Sequence, residues 1–287
     1  MKTQVISIVN NKGGVGKTLS TYVMAEILAF LGHKVLVVDL DESANLSMLL
    51  HNLTIDSEAV ERGIELSARE NIHEVFKYRY KTLEDMTRVV YKTNIANVDV
   101  IPASKRHKNT PVSISSNRTG NNNIILKRAL SAIKNNYDYI LIDNSPHEDI
   151  LTVNSMFASD WVIVPVRSEK LSLKGLREIL DSILYIKEEH DLDNLNLLGT
   201  FIVQAEINTK AYKLSRNEYL EAKFPEGRFL DAPIRKDTHI NELATNYVPL
   251  LKSNPNTNAI FDYSKLILEA GILNNEFANK LKSCIGM

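Results

Sequence analysis

Cysteine is almost absent from this chain, and the scarcity excludes several classes of protein. Cys284 stands alone, so there is no intramolecular disulfide framework and no metal site built on several thiolates; a reducing compartment suits it. Long apolar runs are also missing, since none approaches the roughly 18 residues that a membrane span requires. An apolar run begins at Val5, which leaves no room for a signal peptide and implies a cytoplasmic protein. Charge of one sign is lacking too. Thirty-four basic residues face 35 acidic ones, so any nucleic-acid surface must be a local patch rather than a global field. His33, His107 and His147 show no metal-ligand spacing. What is present is 287 residues, 44% of them hydrophobic, enough for one large α/β domain over residues 1–287, with a tail helix at 274–287.

One stretch near the N-terminus organises the rest. Asn11-Lys12-Gly13-Gly14-Val15-Gly16-Lys17-Thr18 follows the run Val5–Val9 and precedes a helix-like segment from Leu19 to Leu31. As G-x-x-x-x-G-K-[ST] the match fails at Asn11, where glycine is required, yet the chemistry is that of a phosphate cradle. Glycines let successive backbone N–H groups turn toward an anion, and the following helix adds the partial positive charge of its N-terminus. Lys17 suits the β- and γ-phosphates and Thr18 suits Mg²⁺. Lys12 is an extra lysine that a plain phosphate loop does not need.

Taken in order, the chain alternates strands and helices. Residues 5–10 predict a strand buried on both faces, and Thr18–Leu31 a helix that buries Val23, Ile27, Leu28 and Leu31 and stops at Gly32. Lys34–Asp41 predicts a second strand ending in carboxylates. Glu58–Leu66 and Asn71–Tyr80 predict short helices capped by Ser57 and Asn71. A strand at 98–102 precedes an expected flexible loop over Ser104–Asn123, with the basic run 105–108 solvated. A helix at 124–135, strands at 139–143, 161–166 and 198–203, and a helix at 171–189 follow. Beyond them come a strand near 229–234 and helices near 240–247, 258–270 and 274–282. This alternation predicts a doubly wound, mostly parallel sheet flanked by helices.

In such a sheet the C-terminal strand ends share one edge, where ligands bind. Asp39, Asp41 and Asp143 therefore converge on the loop at 12–18. An apolar strand ending in Asp opposite a phosphate loop is the pattern of a carboxylate that holds Mg²⁺ through water.

These residues carry a resemblance. Lys12–Thr18, Val37-Val38-Asp39-Leu40-Asp41, the run from Tyr137 to Asp143 and Val162-Ile163-Val164-Pro165-Val166 occur in the order seen in the ParA/MinD family of deviant Walker A ATPases. The resemblance implies a P-loop NTPase fold, ATP and Mg²⁺ as cofactors, and weak ATP hydrolysis. Lys12, Gly13, Gly14, Val15, Gly16, Lys17, Thr18 and Leu19 would form the nucleotide loop, with Gln204, Pro233 and Ile234 near the adenine. Thr18 and Asp143 would serve the metal. Lys12, Lys17 and Asp41 would be catalytic, Lys12 by reaching the partner's ATP in a sandwich dimer and Asp41 by positioning the attacking water. Asp39 would be structural.

The sequence also departs from the family: Leu19 replaces a threonine, Asn144-Ser145-Pro146 replaces Thr-Pro-Pro, and Glu42-Ser43-Ala44-Asn45 replaces Pro-Gln-Gly-Asn. The short partition ATPases, which lack an N-terminal helix-turn-helix, are the nearest type. They imply an ATP-dependent homodimer that binds DNA non-specifically over the nucleoid and answers to a ParB-like centromere-binding partner. Two basic patches are candidates: Lys210, Lys213, Arg235 and Lys236, or Arg167, Lys170, Lys174 and Arg177. The alternative is a MinD-like positioning ATPase that docks on a membrane or a protein cargo. Phe277, Leu281 and Ile285, beside Lys280 and Lys282, would form its amphipathic face.

Overall fold

The computed structural model describes residues 2–50, 69–116, 120–168, 173–221, 229–238 and 248–287. The expected helices at 58–66 and 240–247 lie outside these residues. Seven strands form one sheet: β1 Gln4–Ile8, β2 Val35–Asp39, β3 Tyr91–Lys92, β4 Val98–Ile101, β5 Tyr139–Asp143, β6 Trp161–Arg167 and β7 Asn196–Val203. Their order is β3-β4-β2-β5-β1-β6-β7. Every pairing is parallel except that of β3, a two-residue antiparallel edge on β4. β2 and β5 are buried at every position, as their uninterrupted apolar sequences require of central parallel strands.

Helices cover both faces. On one face, Lys17–Phe30 and Asn258–Ala270 pack together through Tyr22, Ile27, Tyr263 and Ile267. Val75, Phe76, Leu126 and Leu130, from Ile72–Tyr78 and Ile125–Ser131, cover the other. The first helix is buried almost all round, so it is an internal strut rather than a half-exposed amphipathic helix.

Two expectations are corrected. The stretch 104–123 is largely helical where it is described, as a 3₁₀ turn at Lys105–Asn109, an α-helix at Thr110–Ser116 and a second 3₁₀ turn at Asn122–Ile124. Ser104 caps the first turn by accepting the Arg106 N–H. The basic run is not simply solvated: His107 is buried against Phe76 and Arg106 pairs with Glu74, while Lys105 and Lys108 remain exposed. Burial among apolar groups pushes the His107 imidazole down to about 3, so it is neutral in the fold. The second correction concerns residues 229–234. They do not form a regular strand but run extended along the β7 edge, held where Leu230 donates to Thr200 O (2.7 Å) and Ile234 to Ile202 O (2.8 Å).

Helix Lys17–Phe30 also carries a buried carboxylate. Glu26 is 2% exposed and accepts the N–H groups of Leu250 (3.2 Å) and Leu251 (2.7 Å), which open the short helix Leu250–Ser253. Those donors are orphans of a helix N-terminus, which is why a carboxylate is tolerated there. Burial outweighs them and pushes the Glu26 carboxyl from 4.5 up to about 7. The folded chain therefore holds a proton that the unfolded chain releases between those pH values. Stability is greatest below the unfolded value and falls as pH rises through the folded one, by about 3 kcal/mol for this group. Glu26→Gln keeps an acceptor and removes the ionisation. Urea denaturation at fixed pH should show the variant gaining on the native chain as pH rises from 5 to 8. An identical pH dependence in both proteins would remove Glu26 from this role.

Candidate functional site

The parallel register brings the carboxylates together. Asp39 of β2 lies opposite Asp143 of β5, which in turn lies opposite Ile8 of β1, so the loop leaving β1 rises beside both acids. That loop turns through Gly14 (φ 72°) and Gly16 (φ 77°), left-handed conformations that favour glycine. Gly16 has a second constraint, because a Cβ there would sit 3.4 Å from the Val203 side chain at the end of β7. Gly16 is also the N-cap of Lys17–Phe30 and has no side chain to close that terminus. The first-turn N–H groups therefore stay open to an anion.

The two lysines of the loop differ sharply. Lys17 is buried, and its ammonium donates to the Lys12 carbonyl at 2.9 Å. Burial pulls its pKa down, while Asp143 and Asp41 push it up. The Lys12 side chain is exposed, and among the described residues no group takes its ammonium.

The two strand-end acids of β2 separate in role. Asp39 is fully buried and accepts the Ser47 hydroxyl (2.6 Å) and the N–H groups of Ser47 (2.9 Å) and Asp41 (3.0 Å). It fastens the helix Asn45–Leu50 to the sheet. Asp41 is half-buried and faces the cleft, and its carboxylate accepts only the Ser43 N–H (2.9 Å) among the described residues. Ala44, at the family's glycine position, has φ 54°, which explains why glycine is usual there.

Asp143 is the most unusual group in the molecule. It is fully buried, and among the described residues neither carboxylate oxygen meets a partner in hydrogen-bond geometry. Burial, and next the charge of Asp39, push its carboxyl well above the ordinary range; the Thr18 hydroxyl and the Lys17 charge favour the ionised form. A buried carboxylate left bare beside a threonine hydroxyl and a lysine fits a hydrated divalent cation.

An open cleft with about 920 Å³ of empty space runs along the loop; Lys12, Asp39 and Asp143 do not line it, Asp143 and Asp39 being buried beneath it. Gly13 to Leu19, Asp41 and Gln204 line it, together with Asn45, Leu49 and Pro146. Gln204 takes φ 51° directly after β7, which turns the chain over the cleft. Pro233 and Ile234, expected near the adenine, do not line it. Ile234 is a core residue, 1% exposed, whose N–H goes to Ile202 and whose carbonyl accepts from Ala205 (2.8 Å). Asn45 and Pro146 were within reach of sequence reasoning, since both lie in the stretches that depart from the family pattern. Leu49 carried no signal beyond an ordinary apolar position.

The two basic patches fare differently. Arg235 is committed to Asp262 through its backbone N–H and a bidentate guanidinium pair, which removes it as a free cation. Among the described residues the Lys236 ammonium makes only a long exposed contact with Glu206 (3.4 Å), and Lys210 and Lys213 stand exposed on the helix Lys210–Glu221. Of the second patch, Lys170 and the side chain of Lys174 lie outside the described residues; Arg177 is exposed. At the C-terminal helix Asn275–Cys284, Leu281 is buried, the Phe277 ring packs tilted against His33 with centroids 4.0 Å apart, and Lys280 donates to Leu31 O at 3.0 Å. Two of the three residues of the apolar face that the membrane alternative needs, Phe277 and Leu281, are thus packed on the protein's own core, while Ile285 is half-buried. Among the described residues, no helix is long and apolar enough to cross a membrane.

Comparison with known proteins agrees with this geometry. A family described as an AAA domain matches residues 3–197. The sporulation initiation inhibitor protein Soj of Bacillus subtilis is 28% identical, over 93% of this chain and 97% of Soj. The virulence plasmid ParA family protein pGP5-D of Chlamydia psittaci is 27% identical, over 94% of each chain. An AMPPNP-bound plasmid partition protein from Borrelia burgdorferi superposes with a TM-score of 0.73 at 24% identity, covering 93% of this chain and 98% of that one. With a glycine loop flanked by Lys12 and Lys17, strand-end aspartates on the same edge and relatives that match nearly end to end, the chain belongs to the ParA/MinD family of P-loop ATPases.

Proposed function

We propose that this ATPase is a DNA-partition switch: it binds ATP with Mg²⁺, pairs face to face with a second copy, holds DNA non-specifically in that state and is reset by hydrolysis. The observation that carries this reading is the contrast between the two loop lysines. Lys17 is buried beside Asp143 and Asp41, where it can serve its own nucleotide. Lys12 is exposed and unpartnered among the described residues, as suits a cation that meets phosphate only when another protomer arrives. Supplied in trans, it would act as an arginine finger does, stabilising charge that develops in the transition state.

The other roles follow from placement. The glycine loop and the open terminus of Lys17–Phe30 would cradle the phosphates, and Leu19 and Gln204 would flank the nucleotide. Thr18 and Asp143 would hold the magnesium ion, which when bound neutralises phosphate charge. Asp41, half-buried at the cleft, would orient the attacking water. On the DNA side, the loss of Arg235 to Asp262 moves the weight to Lys210, Lys213 and Lys236. The Lys236–Glu206 contact is exposed, so its strength is small and a DNA phosphate can replace it. A net charge of −1 means that this patch must do the work locally. A ParB-like centromere-binding protein would trigger hydrolysis and release from the nucleoid in the cytoplasm.

A sedimentation assay tests the reading. The chain with ATP and Mg²⁺ is offered plasmid DNA and anionic vesicles separately. Pelleting with DNA is expected, lost steeply as salt rises because binding releases phosphate counterions. Pelleting with vesicles alone would overturn it in favour of membrane positioning. Pelleting with neither would favour a protein cargo.

A further inference from the structure

The loop lysine that acts in trans needs a fixed point from which to reach, and the structure provides one in a residue with no assigned role. Asn10 lies two residues past the end of β1 and two before Lys12, and is 1% exposed. Its amide Nδ2 donates to the carbonyl of Pro165 in β6 at 2.8 Å, and its Oδ1 accepts the backbone N–H of Lys12 at 2.9 Å. The two contacts fix the orientation of the amide, because a flipped group would set oxygen against oxygen at Pro165.

The position explains the residue. β1 and β6 pair only as far as Ile8 and Ile163, with one more bond from Val9 to the Ile163 carbonyl at 3.1 Å. Two residues further along β6, the Pro165 carbonyl points the same way, where the β1 backbone has already turned into the loop. The Asn10 side chain extends the ladder by one rung and hands its other end to Lys12. The Lys12 carbonyl is held from the opposite side by the Lys17 ammonium at 2.9 Å. Both backbone poles of Lys12 are thus pinned while its side chain is exposed.

We infer that Asn10 is a positioning residue for hydrolysis, acting through Lys12: it ties the root of the trans lysine to β6 and so sets the direction in which that lysine reaches the second protomer. The inference rests on the role proposed above for Lys12, and the experiment separates the two.

Four proteins are compared: the native chain, Asn10→Ala, Lys12→Ala and the double variant. Affinity is read with mant-ATP, and hydrolysis under single-turnover conditions, so that slow residual rates stay readable. Asn10→Ala should bind mant-ATP within about threefold of the native chain and hydrolyse ATP about 10- to 100-fold more slowly, the scale on which a misplacement near 1 Å acts. In the Lys12→Ala background the same change should cost nothing further, since the lysine it aims is gone. Asn10→Ser, whose hydroxyl can still accept the Lys12 N–H, should recover part of the rate. Losses that multiply in the double variant would overturn the inference, as would parallel loss of mant-ATP binding or unchanged hydrolysis in Asn10→Ala. If Asn10→Ala does not fold, the serine variant alone and combined with Lys12→Ala gives the same cycle. Unchanged hydrolysis in Lys12→Ala would instead remove the trans lysine itself.

Discussion

Lys12→Ala is expected to lower turnover by about a thousandfold while leaving ATP affinity within about threefold. The asymmetry follows from where the side chain lies. Lys12 is exposed at the lip of the loop and touches no carboxylate of its own protomer among the described residues. Its removal therefore leaves the cradle as it was: Gly14 and Gly16 keep their left-handed turns, and Lys17 keeps its buried seat by Asp143. What disappears is a cation that is useful only in the transition state of a paired molecule, so the loss falls on the chemical step rather than on binding. Lys17→Ala is the control, and there affinity itself should collapse. Phosphate-release assays beside mant-ATP titrations check both. Native turnover in Lys12→Ala would rule out the sandwich mechanism.

Asp143→Asn should move stability and activity in opposite directions. The native carboxylate is fully buried, lies in register with Asp39 and, among the described residues, has neither oxygen in good hydrogen-bond geometry. Its folded pKa is raised, chiefly by burial, so without nucleotide its contribution to stability is full below the unfolded value and lost as pH rises. An amide of the same shape removes that burden, and the apo protein should gain about 2 kcal/mol in urea denaturation at pH 7.5. The same variant loses the charge that would hold the metal, and magnesium-dependent turnover should fall by about a hundredfold or more. Strain of this kind, retained at a functional site and relieved by inactivating it, is the common trade between stability and activity. A destabilised variant would mean that the carboxylate already has a structural partner, and the assignment would fail.

Much of this site was legible because it is written in local chemistry. A glycine loop between an apolar strand and a helix has few other meanings, and apolar runs ending in aspartate place those acids on one edge once the sheet is parallel. The limits are equally specific. Asp39 and Asp41 look alike in sequence, being two residues apart on one strand end. Only the fold shows that Ser47 closes over Asp39 while Asp41 faces the cleft. The resemblance implies Ile234 as an adenine neighbour; only the fold shows its backbone bonded to β7 and its side chain buried. Arg235 read as a surface cation, but Asp262, 27 positions away, captures it. His107 stood in what looked like a solvated basic run, and its burial against Phe76 depends on the packing of two helical segments.

The sequence by itself determined the phosphate loop, its extra lysine, the strand-end acids and the parallel sheet that gathers them, because each depends on residue type and short-range periodicity. Tertiary structure alone decided what holds Asp39, which cations are already paired, that the C-terminal helix is packed on the core, and that Asn10 anchors Lys12 to Pro165. Those outcomes depend on contacts between residues far apart in the chain, where the competition for each buried hydrogen bond and charge is settled by geometry that residue type does not carry.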